Sequence, residues 1–492
     1  MVFSFPYSIG LLVAALAYLV TKVISYRRHP LSKFPGPFLC AITNLPYSYH
    51  IFAGDHPKWV ASLHEKYGPV VRLAPSELSF TTPTSWRDIY GFRKDHGVFI
   101  KSAAYDAAAF TDQARSIVNE RDPAEHAKMR KMLAPAFSDR SLRLQWPLIN
   151  QIVNDFIAEL AKKATSKQEV DMTLYLSLVS FDIATSLALG ESFGSVAAGR
   201  IHPWATFFRN GAQAMGEGVA VMRFPWLGKL LLALKPPQMV AMIKELGMHE
   251  AMCIEMVKKR LDSPSDRPDI LGLILQAGEK EGNSFTTESI AAQLSDVVIA
   301  GTETSITALT TANHFVMRDP AVMRKLRAEI RGRFKSYEEI SCSSTADLEY
   351  LNAVLNEAMR LLAPVAWLPS RVVPPGGDTV DGYHLPAGTW VATSYYAAAT
   401  YSANFKDAAE FRPERWIGQS GDALEASQPF GVGTRACIGK GVALTKLRLI
   451  MAKLHYKFDM EAVEKDLDWI DKAKFRLLWA KPPLVVKLTE RT

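Results

Sequence analysis

Disulfide chemistry is the first thing this chain lacks. Only four cysteines occur in 492 residues, Cys40, Cys253, Cys342 and Cys437, and their positions fit neither paired loops nor zinc-type spacing. That scarcity excludes a disulfide-stapled scaffold and points to a reducing compartment. Charge of one sign is also thin: 57 Lys+Arg against 50 Asp+Glu leave a net charge of +7. No Lys/Arg-dense run interleaved with aromatics occurs, which argues against nucleic-acid binding and for an acidic protein partner or an anionic membrane surface. Internal repeats and low-complexity tracts are absent as well. Long apolar runs are missing with one exception, at the N-terminus.

That exception has its own chemistry. Val2 to Thr21 contains no charged residue, and Ile9–Val20 is strongly apolar. About 20 such residues span a bilayer as a helix. Lys22, Arg27, Arg28 and Lys33 follow the run and no Lys or Arg precedes it, so the positive-inside rule places the body of the chain on the cytosolic side. A cleaved signal peptide is the alternative, but it expects a basic leader and a small-residue cleavage site, and neither is present. Phe34-Pro-Gly-Pro37 then makes a stiff break, because proline fixes φ and restricts the residue before it. The expected organisation is an anchor over 1–26, a basic Pro-Gly-Pro linker over 27–40, and one large domain over 41–492.

The body reads as mainly α with a small β region. Phe181–Leu189, Lys244–Leu261, Ile290–Met317 and Leu348–Leu362 carry apolar residues at three- and four-residue spacing. Pro69–Phe80 and Thr379–Val391 read as extended, the second with turn signals at Asp381-Gly382 and Ala387-Gly388. Phe224–Pro237 is apolar and bounded by prolines. At that length it fits either a membrane-dipping segment or a short buried helix.

Three groups of residues carry chemistry. In Phe430-Gly-Val-Gly433-Thr-Arg435-Ala-Cys437-Ile-Gly439, a cysteine between glycines suits a thiolate bound to haem iron. Gly433 and Gly439 would let the backbone approach a flat macrocycle, while Arg435 would meet a propionate and favour the thiolate. The alternative is a buried free cysteine in a glycine-rich loop. Next, Thr286–Arg318 reads as one helix with Ala300-Gly-Thr-Glu-Thr-Ser305 at its middle. A mid-helix glycine costs about 1 kcal/mol against alanine, and threonine there bends helices by bonding their backbone. A ligand against the helix would offset both, whereas the alternative is a polar face used for packing. Third, Glu357 and Arg360 lie three apart on one helical face among Leu351, Leu355 and Leu362. Buried, such a pair needs a further partner, and Arg415 is the candidate.

Together these residues resemble the cytochrome P-450 monooxygenases, from the Pro-Gly-Pro break to Lys481-Pro-Pro-Leu484. His202-Pro-Trp204 and Arg371-Val-Val-Pro-Pro-Gly-Gly377 are most similar to fungal enzymes that tailor polyketides or terpenoids, of the isotrichodermin C-15 hydroxylase type. Thr400–Phe411 departs from the pattern, since many relatives carry a His/Arg-Asp and proline-rich stretch there.

The resemblance implies a P450 fold with haem b on Cys437, Thr304 hydrogen-bonding oxygen bound opposite it, and Glu303 relaying protons from solvent. It also implies that His126, Arg130, Arg371 and Arg435 face propionates, that Phe430, Gly433 and Gly439 shape the haem loop, and that Glu357, Arg360 and Arg415 form a structural triad. Electrons would come from NADPH through a separate NADPH–cytochrome P450 reductase, because no flavin- or dinucleotide-binding segment follows the haem signature. The implied reaction inserts one atom of O2 into an apolar small molecule at the endoplasmic reticulum membrane. Substrate contacts are expected in Ala103–Ala109, Gly211–Val221 and Val365–Leu368. A reductase-independent haem-thiolate isomerase or dehydratase, or a non-catalytic haem protein, stands as the alternative.

Overall fold

The computed structural model describes residues 21, 27–108, 114–234, 236–262, 269–281 and 286–491. The expected anchor over 1–26 therefore lies outside the described residues, apart from Thr21.

Helices dominate, and the demand that apolar surface be buried decides which one sits at the centre. The chain-order series used below is α1 (Leu45–Ala53), α2 (Pro123–Leu133), α3 (Asp139–Thr165), α4 (Met172–Leu189), α5 (Pro203–Met222), α6 (Pro225–Leu234), α7 (Pro237–Asp262), α8 (Thr287–Arg318), α9 (Glu349–Leu361) and α10 (Lys440–Lys457). Helix α4 is apolar on every side, so it must be buried on every side. It packs along α8, between α3 and the rest of the core. Its one acid, Asp182, is satisfied by the Ser195 and Val196 amides at 3.0 and 2.9 Å. The three-four rhythm locates this helix only from Phe181, whereas it begins at Met172, because an all-apolar helix has no rhythm to detect. Among the described residues α4 is also the one helix long and apolar enough to cross a membrane, yet 83% of it is inside the protein.

Helix α8 starts where its cap predicts: Thr286 Oγ1 accepts the Ser289 amide at 3.1 Å, and Asp319-Pro320 ends it. The extended stretches become β1 (Val70–Ala74), β2 (Glu77–Phe80), β3 (Ile100–Lys101), β4 (Arg371–Val372) and β5 (Trp390–Thr393). They form one sheet in the order β1-β2-β5-β4-β3, antiparallel except for β2 with β5. Asp381 and Gly382, at φ 51° and 80°, turn a second hairpin joining Asp378–Val380 to Tyr383–Leu385, as their residue types demand.

One buried carboxylate ties this frame together. Glu357 of α9 has no solvent exposure and neither has Arg360. Its two oxygens accept five donors: Arg360 Nε and Nη2 at 2.8 Å each, Arg415 Nε at 2.9 Å, the Arg412 amide at 3.0 Å and Trp416 Nε1 at 2.9 Å. The remaining N–H groups of Arg360 reach the carbonyls of Ala399, Ala408 and Glu410 at 2.8, 2.8 and 3.1 Å. Arg415 is paired in addition with Asp422. The Thr400–Phe411 stretch that departs from the family pattern thus serves the cluster through backbone carbonyls, which any side chain sequence can supply.

Removing one partner leaves buried charge uncompensated, at roughly 3–5 kcal/mol. Glu357→Ala is therefore expected to reduce the yield of folded protein sharply and to lower the denaturant midpoint of what remains. A variant with the parent midpoint and yield would contradict this account.

Candidate haem-thiolate site

The loop carrying Cys437 is closed by its own backbone. The Cys437 amide donates to the Phe430 carbonyl at 2.8 Å, and Gly431 and Gly433 bend the chain at φ 66° and 78°. A Cβ on Gly433 would run into the Tyr90 carbonyl, so packing and left-handed backbone require that glycine. That requirement is separate from the expected approach of this backbone to a macrocycle. Gly439 is different: its φ is −86°, and an added Cβ would only touch Phe137 at 3.8 Å and Cys437 Sγ at 4.0 Å. Phe430 packs against the main core with Lys440 Nζ 5.6 Å from its ring centre.

Cys437 is exposed, yet burial is the largest influence on its thiol and raises its pKa. Both hold when the exposed surface faces a space enclosed by protein. The groups that favour the thiolate are the Gly439 amide, then Arg130, Lys440 and Lys446. Arg435, expected in that role, is instead drawn to the carbonyls of Glu120 and Arg121 at 2.7 and 3.1 Å. Arg130 braces the loop from α2 by donating to the Ala436 carbonyl at 2.8 Å.

Helix α8 has a matching opening. Most of it is buried, yet Ala300 is exposed and Asp296, Val297, Gly301 and Thr304 are partly so. Residues spaced by four share a face of a helix, so Asp296, Ala300 and Thr304 form one stripe, with the partly exposed Ile299 and Glu303 beside it. Lys446 of α10, buried and missed by the sequence reading, donates to the Gly301 carbonyl. The helix that follows Cys437 is thereby fastened to α8 beside the stripe. Burial pushes the Lys446 pKa down to about 7, partly offset by Cys437.

Thr304 and Glu303 do not work at one point. Thr304 Oγ1 donates to the Ala300 carbonyl at 2.6 Å, so its hydrogen is engaged by its own helix. Glu303 Oε2 is paired with Lys481 Nζ at 3.0 Å, with Thr307 Oγ1 also accepting from Lys481 at 3.3 Å. Lys481 is thus the partner of the Glu303 carboxylate, which keeps some exposure.

Cations gather beside the site in excess of anions. Arg371, Lys101 and His126 are all buried. Burial first, then Arg435 and Arg371, push Lys101 down to about 6. Burial and then Arg371 lower Arg435 to about 10. Burial, Arg435, Lys101, Arg130 and Arg371 lower His126 to about 3. Arg371 also donates to Tyr105 OH at 3.1 Å. Lys101 and Tyr105 lie in no motif and carry no signal in the sequence. Mutual repulsion of this kind is relieved by buried anions, and the two propionates of haem fit it. With an enclosed thiol and an open stripe on α8, the residues present fit the cofactor: Cys437 for the iron, and Lys101, Arg371, Arg435 and His126 for the carboxylates. A separate cleft of about 380 Å³ lined by His314, Arg318, Tyr396 and Asp468 contains none of them.

Because a methyl at Gly433 overlaps the Tyr90 backbone, Gly433→Ala is expected to abolish haem uptake or lower the thermal midpoint by several degrees. Haem content by absorbance and a melting curve check it; full occupancy at the parent midpoint would contradict it.

Comparison with known proteins identifies the family. The family model for cytochrome P450 matches residues 35–488. Cytochrome P450 monooxygenase ORF11 of Penicillium roqueforti is 41% identical over 461 residues, covering 94% of this chain and 95% of that protein. Cytochrome P450 monooxygenase BipB of Cochliobolus sativus is 37% identical, covering 93% and 92%. Cytochrome P450 monooxygenase aclL of Aspergillus oryzae is 36% identical, covering 96% of each. The chain therefore belongs to the cytochrome P450 family, a monooxygenase whose haem is held by a cysteine thiolate and supplied with electrons by a redox partner.

Proposed function

We propose that Cys437 is the axial ligand of a haem b and that this chain oxidises an apolar polyketide or terpenoid intermediate of fungal secondary metabolism. The observation that carries it is the Cys437 thiol, exposed yet desolvated, near Lys446, which fastens its helix to α8 beside the open stripe at Ala300. Thiolate-ligated haem supplies the chemistry that cleaves an O–O bond and delivers one oxygen atom to carbon. The chain's own residues bind, orient and handle protons. Arg371, Arg435, Lys101 and His126 hold the carboxylates. Thr304 Oγ1 keeps its hydrogen on the Ala300 carbonyl, which leaves its lone pairs to accept a proton-bearing donor on the open stripe. Glu303, paired with Lys481 Nζ, exchanges a proton with solvent. Electrons come from NADPH–cytochrome P450 reductase, an acidic partner for the exposed Lys128, Lys131 and Lys440 on the two elements that bracket the Cys437 loop.

Two variants test the reading. Cys437→Ala is expected to lose the thiolate-specific red shift of the reduced CO complex. Thr304→Ala is expected to keep that spectrum while product per NADPH falls severalfold and hydrogen peroxide rises, because proton delivery is misplaced. A normal CO spectrum in the first variant, or unchanged coupling in the second, would refute the assigned role.

The body lies on the cytosolic face of the endoplasmic reticulum, held by a single pass over 1–26. Support comes from the charge distribution around Val2–Thr21 and from an exposed apolar surface on the described residues. Leu45 and Tyr49 of α1 and Trp226 and Leu234 of α6 are each more than 60% exposed. Helix α1 is joined to the chain just before α6 by Ser48 Oγ donating to the Ala220 carbonyl at 3.0 Å. Helix α6 is thus not the short buried helix that its composition also allowed. Removing residues 1–28 is expected to shift most of the protein to the soluble fraction with its CO spectrum intact. A truncated form that pellets as completely as the full chain, or that loses haem, would refute the separable anchor.

A further inference from the structure

Asp296 is a half-buried acid, with its Oδ2 atom buried, that none of the roles above uses. It stands on α8 four residues before Ala300 and eight before Thr304, on the stripe that opens into the site. Burial raises its pKa to about 6, while the Ser116 hydroxyl, the Val118 amide and Lys101 act in the other direction. Yet neither Asp296 Oδ2 nor Ser116 Oγ completes a hydrogen bond.

The Val118 amide and the Ser116 hydroxyl are donors toward Asp296, and other groups also hold the same loop. Gln293 Oε1 accepts the Ile117 amide at 2.8 Å, and Gln293 Nε2 donates to the Arg115 carbonyl at 3.2 Å. The Ser116 amide donates to Asn119 Oδ1 at 2.8 Å. Lys101 Nζ donates to the carbonyls of Ile117 and Val118 at 2.9 and 2.7 Å. A carboxylate left short of donors in a buried site is unfavourable, and a donor brought in by a ligand removes that penalty.

Resting on the monooxygenase reading, we propose that Asp296 is a specificity-determining residue that accepts a hydrogen bond from a hydroxyl group of an otherwise apolar substrate. Eight residues of helix place that hydroxyl about 12 Å along α8 from Thr304. One end of the substrate is thereby anchored while a distant carbon is presented for oxidation. A hydroxyl suits the site better than an ammonium, because the cation Lys101 already lies within electrostatic reach of Asp296. In reaction order the substrate is then already oxygenated, so an earlier hydroxylation, carbonyl reduction or hydration must supply it.

The test uses the full-length holoenzyme and matched probes: cedrol and cedryl methyl ether, dodecan-1-ol and its methyl ether, testosterone and its 17-methyl ether. Each pair keeps the carbon skeleton and removes the donor. Binding is read as the optical shift of the haem, with the reduced CO spectrum recorded first. The expected result is at least one alcohol that binds roughly tenfold or more tightly than its ether. Asp296→Ala should bring that ratio to about one while the affinity for the ether changes by no more than about twofold. Should Asp296→Ala not take up haem, the same comparison on Asp296→Asn decides, with a severalfold fall in the ratio expected from loss of the charge.

A wild-type panel with no alcohol preference, including one in which nothing binds, overturns the proposal. So does a variant that weakens alcohol and ether alike, because Asp296 then only props the loop. A normal CO spectrum with either result removes the role of Asp296 alone, whereas a missing thiolate signature removes the monooxygenase reading itself.

Discussion

The carboxylate of Glu357 is the interaction on which the remaining architecture depends. A charge with no solvent contact is stable only if its lone pairs are filled, and here five donors from four residues fill them. Those donors come from α9 and from the Arg412–Trp416 turn, and Arg360 extends the network to three backbone carbonyls. The segment that leads into the Cys437 loop is therefore fixed against the helical core by electrostatics more than by apolar packing. The residues between Trp416 and Phe430 form almost no regular structure beyond one short turn, so a less directional anchor would leave the cysteine poorly placed.

Around the site the same rule runs with the opposite sign. After burial itself, Arg371 and Arg435 stand close enough to depress the protonation of Lys101 and His126, and Arg371 that of Arg435, an arrangement that a protein tolerates where it expects anions. Lys446 adds a buried cation between α10 and α8 that touches only a backbone carbonyl by hydrogen bond. The anionic cofactor thus completes the interior as well as supplying reactivity. Asp296 is the reverse case, an acid short of donors on the same open stripe. Its unmet hydrogen bond and the cations' unmet charge point to two different guests, cofactor and substrate.

Much of this was legible in the residues because it depends on local chemistry. The Thr286 cap and Asp319-Pro320 stop bounded α8, and the Asp381-Gly382 pair located its hairpin. The Phe430–Gly439 pattern marked the cysteine loop. Glu357, Arg360 and Arg415 were nominated by charge and spacing, and they meet in one cluster. Local reasoning stops where a residue's partner is remote. Gly433 reads as room for a cofactor, and the Tyr90 carbonyl adds a separate constraint. Glu303 reads as a proton relay, and its ion-pair partner Lys481 lies 178 residues further along the chain.

What the sequence determined by itself is therefore the family of chemistry and the cysteine proposed as its thiolate, because helix periods, caps, turns and a motif ten residues long are written within a few residues of one another. What only the tertiary structure decided is the charge environment. Lys101, Lys446, Asp296 and Trp416 carry no local signal, and each acquires its role from a group 15 or more residues away, as Lys101 does from the Ile117 carbonyl and Lys446 from Gly301. Electrostatic influence falls with distance in space and is indifferent to distance along the chain, so it becomes readable only once the chain has folded.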